Sequence, residues 1–261
     1  MEKEVQTDVT KNIENIETQR IEPTQLEVVQ NDALTIEEIE TGLVYNGSMV
    51  RVADISEEFR KVIEPILRMY NAAMNVTTAR IEIIKDESRY KNVRCPVHHI
   101  DTRLKSAGSI LGKLQKKNLD LTIGAACNNI YDIAGVRIVC PYIKDVYFIR
   151  DRILAQDDIE VMKVKDYIEH PKENGYRSYH LIIRVPVFFM NKKQMVPVEI
   201  QIRTMAMDLW ASLEHDISYK AINSKGEYQG DYLEFREELT ECSRLIYEAE
   251  EKMERMNSML E

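Results

Sequence analysis

Two carboxylates, a group of cations and one aromatic loop fall within a short stretch of this chain, and their spacing suits phosphate chemistry. The segments are Asp132-Ile-Ala-Gly-Val-Arg137, Asn174-Gly-Tyr-Arg-Ser-Tyr-His180 and Val198-Glu-Ile-Gln-Ile-Arg-Thr204. Side chains alternate across a strand, so Val196, Val198, Ile200 and Ile202 share one face while Glu199, Gln201 and Arg203 share the other. Burying a lone carboxylate is costly, so Glu199 has to meet Arg203, another base or a metal. Asp132 lies just before the strand that carries Arg137, and Gly135 there allows a backbone or ligand to come close. If these two strands are neighbours, Asp132 and Glu199 converge. Two carboxylates completed by substrate phosphates is the usual way to hold Mg2+. The plainer alternatives are a salt-bridged Glu199 and an Asp132 that caps a turn or helix. No Gly-rich phosphate loop occurs in the sequence.

The loop Lys172–His180 combines flexible backbone, aromatic rings and donors. Tyr176 can stack on a purine, while Lys172, Arg177 and His180 can contact phosphate or ribose oxygens. Rigid strands on either side are the usual support for such contacts. A further cationic stripe comes from a helix expected between Leu104 and Lys117. At about 100° per residue, Lys105, Ser109, Lys113 and Lys116 fall on one arc, opposite Leu104, Ala107, Ile110, Leu111 and Leu114. His98-His99-x-Asp101 lacks the spacing of a metal motif.

The elements that must position these groups follow from periodicity. Ile55, Phe59, Val62, Ile66, Met69 and Ala73 step by three and four, predicting a helix that runs on towards Ile84. Residues 86–101 read as irregular or as a short strand. Val136–Cys140 reads as a strand, Asp145–Ala155 as a helix and Glu160–Lys165 as a strand. After the polar loop from Asp166 to Ser178, His180–Phe189 and Val196–Thr204 form two strands joined across Asn191-Lys-Lys-Gln. Met205–Lys220 is a helix whose Trp210 and Leu213 are expected on the sheet. The fold class is therefore α+β, a mixed sheet of about five strands flanked by helices. At the C-terminus, Phe235, Leu239, Cys242, Ile246, Ala249, Met253, Met256 and Leu260 form a heptad seam. Such a seam needs a partner helix, either from this chain or from another subunit.

Charge divides the chain in the same places. The total is −9, yet residues 1–44 hold three Lys/Arg against eleven Asp/Glu, and residues 227–261 hold four against eleven. The stretch 45–226 is thus net basic, which suits a polyanion such as a nucleotide or RNA. The expected organisation is an acidic, largely disordered extension over 1–44 with a short helix near Thr35–Glu40, a catalytic domain over 45–226, and the heptad helix over 227–261. No apolar run approaches the length of a bilayer span and no signal-type stretch opens the chain, so a cytoplasmic protein is expected. Cys95, Cys127, Cys140 and Cys242 are scattered and read as reduced thiols, with Cys140 in an apolar strand and Cys242 at a core position of a helix.

From Arg103 to Lys220 the chain resembles the synthetase domain of the RelA/SpoT homologues, in particular the single-domain small alarmone synthetases. The matching pieces are Arg103-Leu-Lys-Ser-Ala-Gly-Ser-Ile110 with Lys113, then DIAGVRI, KDYIEHPKENGYRSYH, VPVEIQIRT and MAMDLWASLEH. The resemblance implies a nucleotidyltransferase-like domain that transfers the β,γ-pyrophosphate of ATP to the 3′-hydroxyl of GTP or GDP, giving pppGpp or ppGpp plus AMP. It implies that Asp132 binds Mg2+ and that Glu199 activates the 3′-hydroxyl or completes the metal site. ATP would be held by Arg103 and Arg137 on adenine, and by Lys105, Ser109, Lys113 and Lys116 on the phosphates. The acceptor would lie against Tyr176, His180, Lys172, Asn174, Gln201 and Arg203. A homotetramer is what this branch suggests, and the hydrolase domain of its bifunctional members has no counterpart. Two other functions fit the basic middle: a single-stranded RNA binder that uses charge and stacking on Tyr176, and a templateless nucleotidyltransferase, which would release pyrophosphate in place of AMP.

Overall fold

A computed structural model of the chain describes residues 57–221 and 232–259. The extension over 1–44 and its expected helix near residues 35–40 lie outside the described residues. Eleven elements follow in order: α1 (Glu57–Tyr90), β1 (His99–Leu104), α2 (Ala107–Lys116), α3 (Ile123–Asn129), β2 (Ala134–Cys140), α4 (Ile143–Leu154), β3 (Glu160–Asp166), β4 (Tyr179–Phe189), β5 (Lys192–Thr204), α5 (Met205–Ala221) and α6 (Tyr232–Ser258). The strands form one mixed sheet in the order β1-β2-β5-β4-β3. Only β2 and β5 run parallel; the other neighbours are antiparallel.

Alternation explains why this sheet has one dry face and one open one. Val136, Ile138, Leu181, Ile183, Val185, Val198, Ile200 and Ile202 are buried on one face. The long helix α1 covers it, reaching β1, β2, β4 and β5, and α4 lies against β2 and β5. From α1 come Ile63, Tyr70, Ala73, Met74, Ile81 and Ile84, a run of threes, fours and sevens that keeps one stripe on the sheet. The buried hydroxyl of Thr77 in this stripe donates to the Ala73 carbonyl at 2.9 Å, so it enters the core without an unmade bond. Burying each such apolar side chain contributes about 1.5–3 kcal/mol, which leaves the opposite face free to carry charge.

The structure corrects five details of the sequence reading. Arg103 and Leu104 belong to an edge strand, with Arg103 opposite Gly135 and Leu104 opposite Ala134. That strand is short and largely exposed, so it lacks the apolar alternation by which strands are read. The following helix starts at Ala107, where the Ser106 hydroxyl accepts from Ser109 N at 3.3 Å as its cap. Lys105 therefore precedes the helix, tied down by its own N–H to the Ile133 carbonyl at 2.8 Å. The connection between β4 and β5 is tighter than expected. Met190 and Asn191 have φ of 49° and 62°, and Lys192 already pairs with Phe189. Two successive left-handed residues make the turn that matches strand twist. Finally, Cys242 is exposed, and α3, over Ile123–Asn129, has no counterpart in the sequence reading.

The C-terminal helix α6 docks mainly through polar groups. Glu254 accepts from Ile143 N and Lys144 N, both at 3.2 Å, and so caps the start of α4. Asp145 works at the same helix end, accepting from Tyr142 N at 3.2 Å and pairing with Arg94 at 2.7 Å. In contrast, Met253 and Met256 of the heptad seam are exposed. Glu250 is buried, and neither of its oxygens has a hydrogen-bond partner. Burial pushes its carboxyl up to about 7; Glu254 and Glu251 act in the same direction, while Thr204 and Arg177 only partly oppose them.

A folded-state pKa above the unfolded value means that the native state keeps this proton longer. Its effect on stability is thus most favourable below the unfolded pKa and declines as pH rises towards about 7. Glu250→Gln should remove a decline of about 2–3 kcal/mol. Urea unfolding of parent and variant at pH 5 and pH 8 checks this; identical pH slopes would refute it.

Candidate active site

The open face is organised by register into rows that cross the strands. Arg103, Gly135, Glu199, Ile182 and Lys163 are successive partners in one row. Asp101, Arg137, Gln201, His180 and Lys165 form the next. Residues that the sequence scatters widely are thus held on rigid strands a few ångströms apart. Arg103 and Arg137 are diagonal neighbours across an antiparallel pair, a separation of about 7–8 Å. An aromatic base stacked on both faces needs about that gap, two van der Waals layers.

Asp132 sits at the mouth of β2, one end of this face. Its Oδ2 takes Lys113 Nζ at 2.6 Å and Lys105 Nζ at 3.3 Å. Its Oδ1 is buried and has no hydrogen-bond partner. Burial would raise its carboxyl, but the Lys113 hydrogen bond and the charges of Lys105 and Lys113 outweigh that, leaving it below the usual carboxylate range. An ionised oxygen with an unused lone pair is what a cation requires.

Glu199 lies across the β2–β5 pairing from Gly135. Its Oε2 accepts from Gln201 Nε2 at 3.1 Å and its Oε1 lies 3.5 Å from His180 Nδ1. Here too burial raises the carboxyl and is outweighed, chiefly by His180. The charge of Asp132 acts on Glu199 in the opposite direction, which puts both carboxylates in one electrostatic neighbourhood. Asp132 precedes β2 by two residues, and β2 is the direct neighbour of β5, which carries Glu199.

These residues fit a divalent cation. Among the described residues no group of three or more His, Cys, Asp or Glu is arranged to hold a metal. Asp132 and Glu199 would offer two carboxylates to such an ion, which would leave its other positions to water and phosphate oxygens. A methyl group at Gly135 would meet only the Arg103 carbonyl at 3.6 Å, an ordinary contact. Glycine is therefore not forced by the protein there, and the row stays open between Arg103 and Glu199.

The aromatic loop closes the far side. Tyr176 OH is 2.8 Å from His180 Nε2 and accepts from Arg203 Nη2 at 2.7 Å. Lys172 Nζ stands 4.5 Å from the Tyr176 ring centre, and Asn174 Oδ1 accepts from Tyr176 N at 3.2 Å to shape the turn. Arg203 is buried; besides Tyr176 it donates to Gln201 Oε1 at 2.8 Å and Asp208 Oδ1 at 3.2 Å. Its guanidinium therefore braces Tyr176 from within the protein. Ser109 is in the first turn of α2, close to its Ser106 cap, while Lys116 is exposed in the last turn.

Three contributors were missed by sequence reasoning. Asp208 joins Arg203 to Arg137, which it meets at 3.3 Å; an acid in the first turn of α5 was the available sign. Tyr167 stacks edge-on to Tyr176 and His180 at 6.0 and 5.3 Å. Asp166 fixes the start of the loop, accepting from Ile168 N and Glu169 N at 2.9 and 3.0 Å. An Asp that opens a polar loop signals such a turn.

Comparison with known proteins adds a second line. Residues 102–224 match the region found in RelA / SpoT proteins. The GTP pyrophosphokinase YwaC of Bacillus subtilis is 41% identical over 187 residues, covering 72% of this chain and 86% of that protein. The crystal structure of small alarmone synthetase 1 from the same organism, bound to its product pppGpp, superposes with a TM-score of 0.68 at 30% identity, covering 77% of this chain and 99% of that one. Small alarmone synthetase 2 gives a TM-score of 0.64 at 40% identity, over 74% and 97%. No helix among the described residues is long and apolar enough to cross a membrane.

Proposed function

The chain belongs to the small alarmone synthetases of the RelA/SpoT family, and from that premise we infer how its open sheet face makes the alarmone. The protein is a GTP pyrophosphokinase: it moves the β,γ-pyrophosphate of ATP onto the 3′-hydroxyl of GTP or GDP. The acceptor 3′-oxygen forms a bond to the β-phosphorus, the bond from that phosphorus to the α,β-bridging oxygen breaks, and AMP leaves. The observation that supports the residue assignment is the parallel pairing of β2 with β5, since Asp132 enters β2 and Glu199 lies on β5 opposite Gly135.

In our reading, Arg103 and Arg137 flank adenine, and Lys105, Lys113, Lys116 and Ser109 receive the triphosphate. Lys105 and Lys113 now neutralise Asp132, so incoming phosphates can take over these ammonium groups while the carboxylate turns to a metal. Asp132, with Glu199 beside it, would hold Mg2+, which when bound supplies charge neutralisation at the phosphoryl oxygens. Glu199 is held ionised, chiefly by His180, so in this reading it takes the 3′-hydroxyl proton. Tyr176 stacks on guanine, with Lys172, Asn174, His180 and Gln201 around the acceptor and Arg203 bracing from behind. Phosphoryl-type transfer of this kind is mostly positioning and charge stabilisation.

Incubation with ATP and labelled GDP or GTP should yield AMP and the 3′-pyrophosphorylated guanosine nucleotide in equal amounts, resolved by anion-exchange chromatography. Release of free pyrophosphate in place of AMP would make the protein a nucleotidyltransferase and overturn this assignment. The single-stranded RNA reading has no observation in its favour. The same assay in buffer with a chelator, then restored with Mg2+, tests the identity of the metal.

A further inference from the structure

The loop that carries Tyr176 has a front and a back. Lys172 and Tyr176 face each other at the front, where Lys172 Nζ lies over the ring. A tight internal turn imposes this, with Gly175 N donating to the Lys172 carbonyl at 2.8 Å and Lys172 N to the Tyr176 carbonyl at 3.1 Å. Gly175 has φ of 86°, a conformation that disfavours other residues. At the back, Glu173, Gly175 and Arg177 all turn towards α6.

That helix meets them with one stripe: Arg236, Thr240, Ser243 and Tyr247, stepping by four, three and four. Arg236 Nη2 pairs with Glu173 Oε2 at 2.7 Å, and the Thr240 hydroxyl shares its one proton between the Arg236 carbonyl of its own helix at 2.8 Å and the Glu173 carbonyl at 3.1 Å. The buried Ser243 hydroxyl donates to the Gly175 carbonyl at 2.5 Å. The Arg177 guanidinium stacks 4.0 Å from the Tyr247 ring centre while Nη1 donates to the Ile168 carbonyl at 2.7 Å. The fit at Gly175 is close, because a Cβ there would lie 2.6 Å from Ser243 Cβ and 3.3 Å from Thr240 Cα. This stripe lies one residue along from the apolar seam read in the sequence, so the helix uses polar groups to grip the loop.

We propose that α6 is a clamp that sets affinity for the acceptor guanine nucleotide by holding the loop Lys172–His180 in its binding shape, with Ser243 as the principal positioning residue. The proposal rests on the acceptor-site reading given above. Ser243 and Thr240 act on the back of the loop through its main chain, so their effect falls on the acceptor and not on ATP. Holding the loop ordered in the free protein removes an ordering cost that binding would otherwise carry. Trp210 is well placed to report on the joint. It is the chain's one tryptophan, its Nε1 donates to the Leu239 carbonyl at 3.1 Å, and its ring centre is 6.5 Å from that of Tyr176.

The test is steady-state kinetics of alarmone synthesis with each nucleotide varied in turn, beside GDP titration followed by Trp210 emission. Loss of one hydrogen bond predicts about a fivefold rise in KM and Kd for GDP in Ser243→Ala, with kcat and the KM for ATP within about twofold of parent. Thr240→Val, which keeps shape and loses the hydroxyl, should shift the same constants in the same direction by about two- to fivefold. Gly175→Ala should raise them more than Ser243→Ala does, because its Cβ drives the loop from the helix. Arg244→Ala, on the exposed side of α6, should leave all constants at parental values. Parental GDP constants in both Ser243→Ala and Thr240→Val would overturn the clamp, as would equal rises in KM for ATP and GDP. A parent protein that makes no alarmone would instead overturn the acceptor-site reading, a separate result.

Discussion

Asp132→Asn should lower the rate of pyrophosphoryl transfer by about a thousandfold or more, while the protein still folds. Asparagine keeps the shape but removes the charge that would oppose a divalent cation, and losing a metal's charge stabilisation costs several kcal/mol in the transition state. The fold should survive because Asp132 lies at the mouth of β2 and outside the apolar layer. Lys105 and Lys113 would lose their partner, which frees two ammonium groups to bind phosphate. A non-hydrolysable ATP analogue should therefore bind Asp132→Asn at least as tightly as the parent when no divalent ion is present. Measured turnover within tenfold of parent, at saturating Mg2+, would remove Asp132 from the proposed metal site.

The second large effect concerns Glu199. Glu199→Gln should slow synthesis by about a hundredfold to ten-thousandfold, the usual contribution of a positioned general base. The loss should appear in kcat, because ATP meets other residues and the acceptor loop is held elsewhere. Glutamine can still accept a hydrogen bond from Gln201, so the local network is kept while the proton acceptor is lost. If Glu199 mainly binds the metal, raised Mg2+ should restore much of the rate; if it is the base, raised Mg2+ should leave the defect in place. Turnover equal to that of the parent at ordinary Mg2+ would exclude both roles.

How much of this was legible in the sequence depended on which kind of order each residue obeys. The strand alternation of Val196–Thr204 placed Glu199, Gln201 and Arg203 on one face, and the structure keeps them there. The neighbouring of β2 and β5 could only be posed as a condition, since strand order is a property of the closed sheet. Lys105 was placed in a helix by its spacing from Lys113, yet it reaches Asp132 from just outside that helix. The error came from extending a helical period across Ser106, whose hydroxyl is the cap that starts the helix. The apolar spacing on α6 was legible, but it did not predict that Cys242, Met253 and Met256 are exposed or that an adjacent polar stripe makes the contacts. Ser243 has no signature of its own, because its partner is a main-chain carbonyl of a distant loop, and Thr240 reads only as a helical residue bonded back to its own turn. Arg203 illustrates the limit for side chains: its face was right, while its burial behind Tyr176 follows from Asp208, a contact made only after α5 has turned back.

The parallel pairing of β2 with β5 has a consequence for biosynthesis. Antiparallel partners can zip from a hairpin, but these two strands can meet only after everything between them has been made and arranged, a non-local closure that folds late. A ribosome that has delivered Asp132, and even the whole of β4, has delivered half a catalyst. Alarmone synthesis by this polypeptide cannot begin on the nascent chain; it waits for the central strand to slot in.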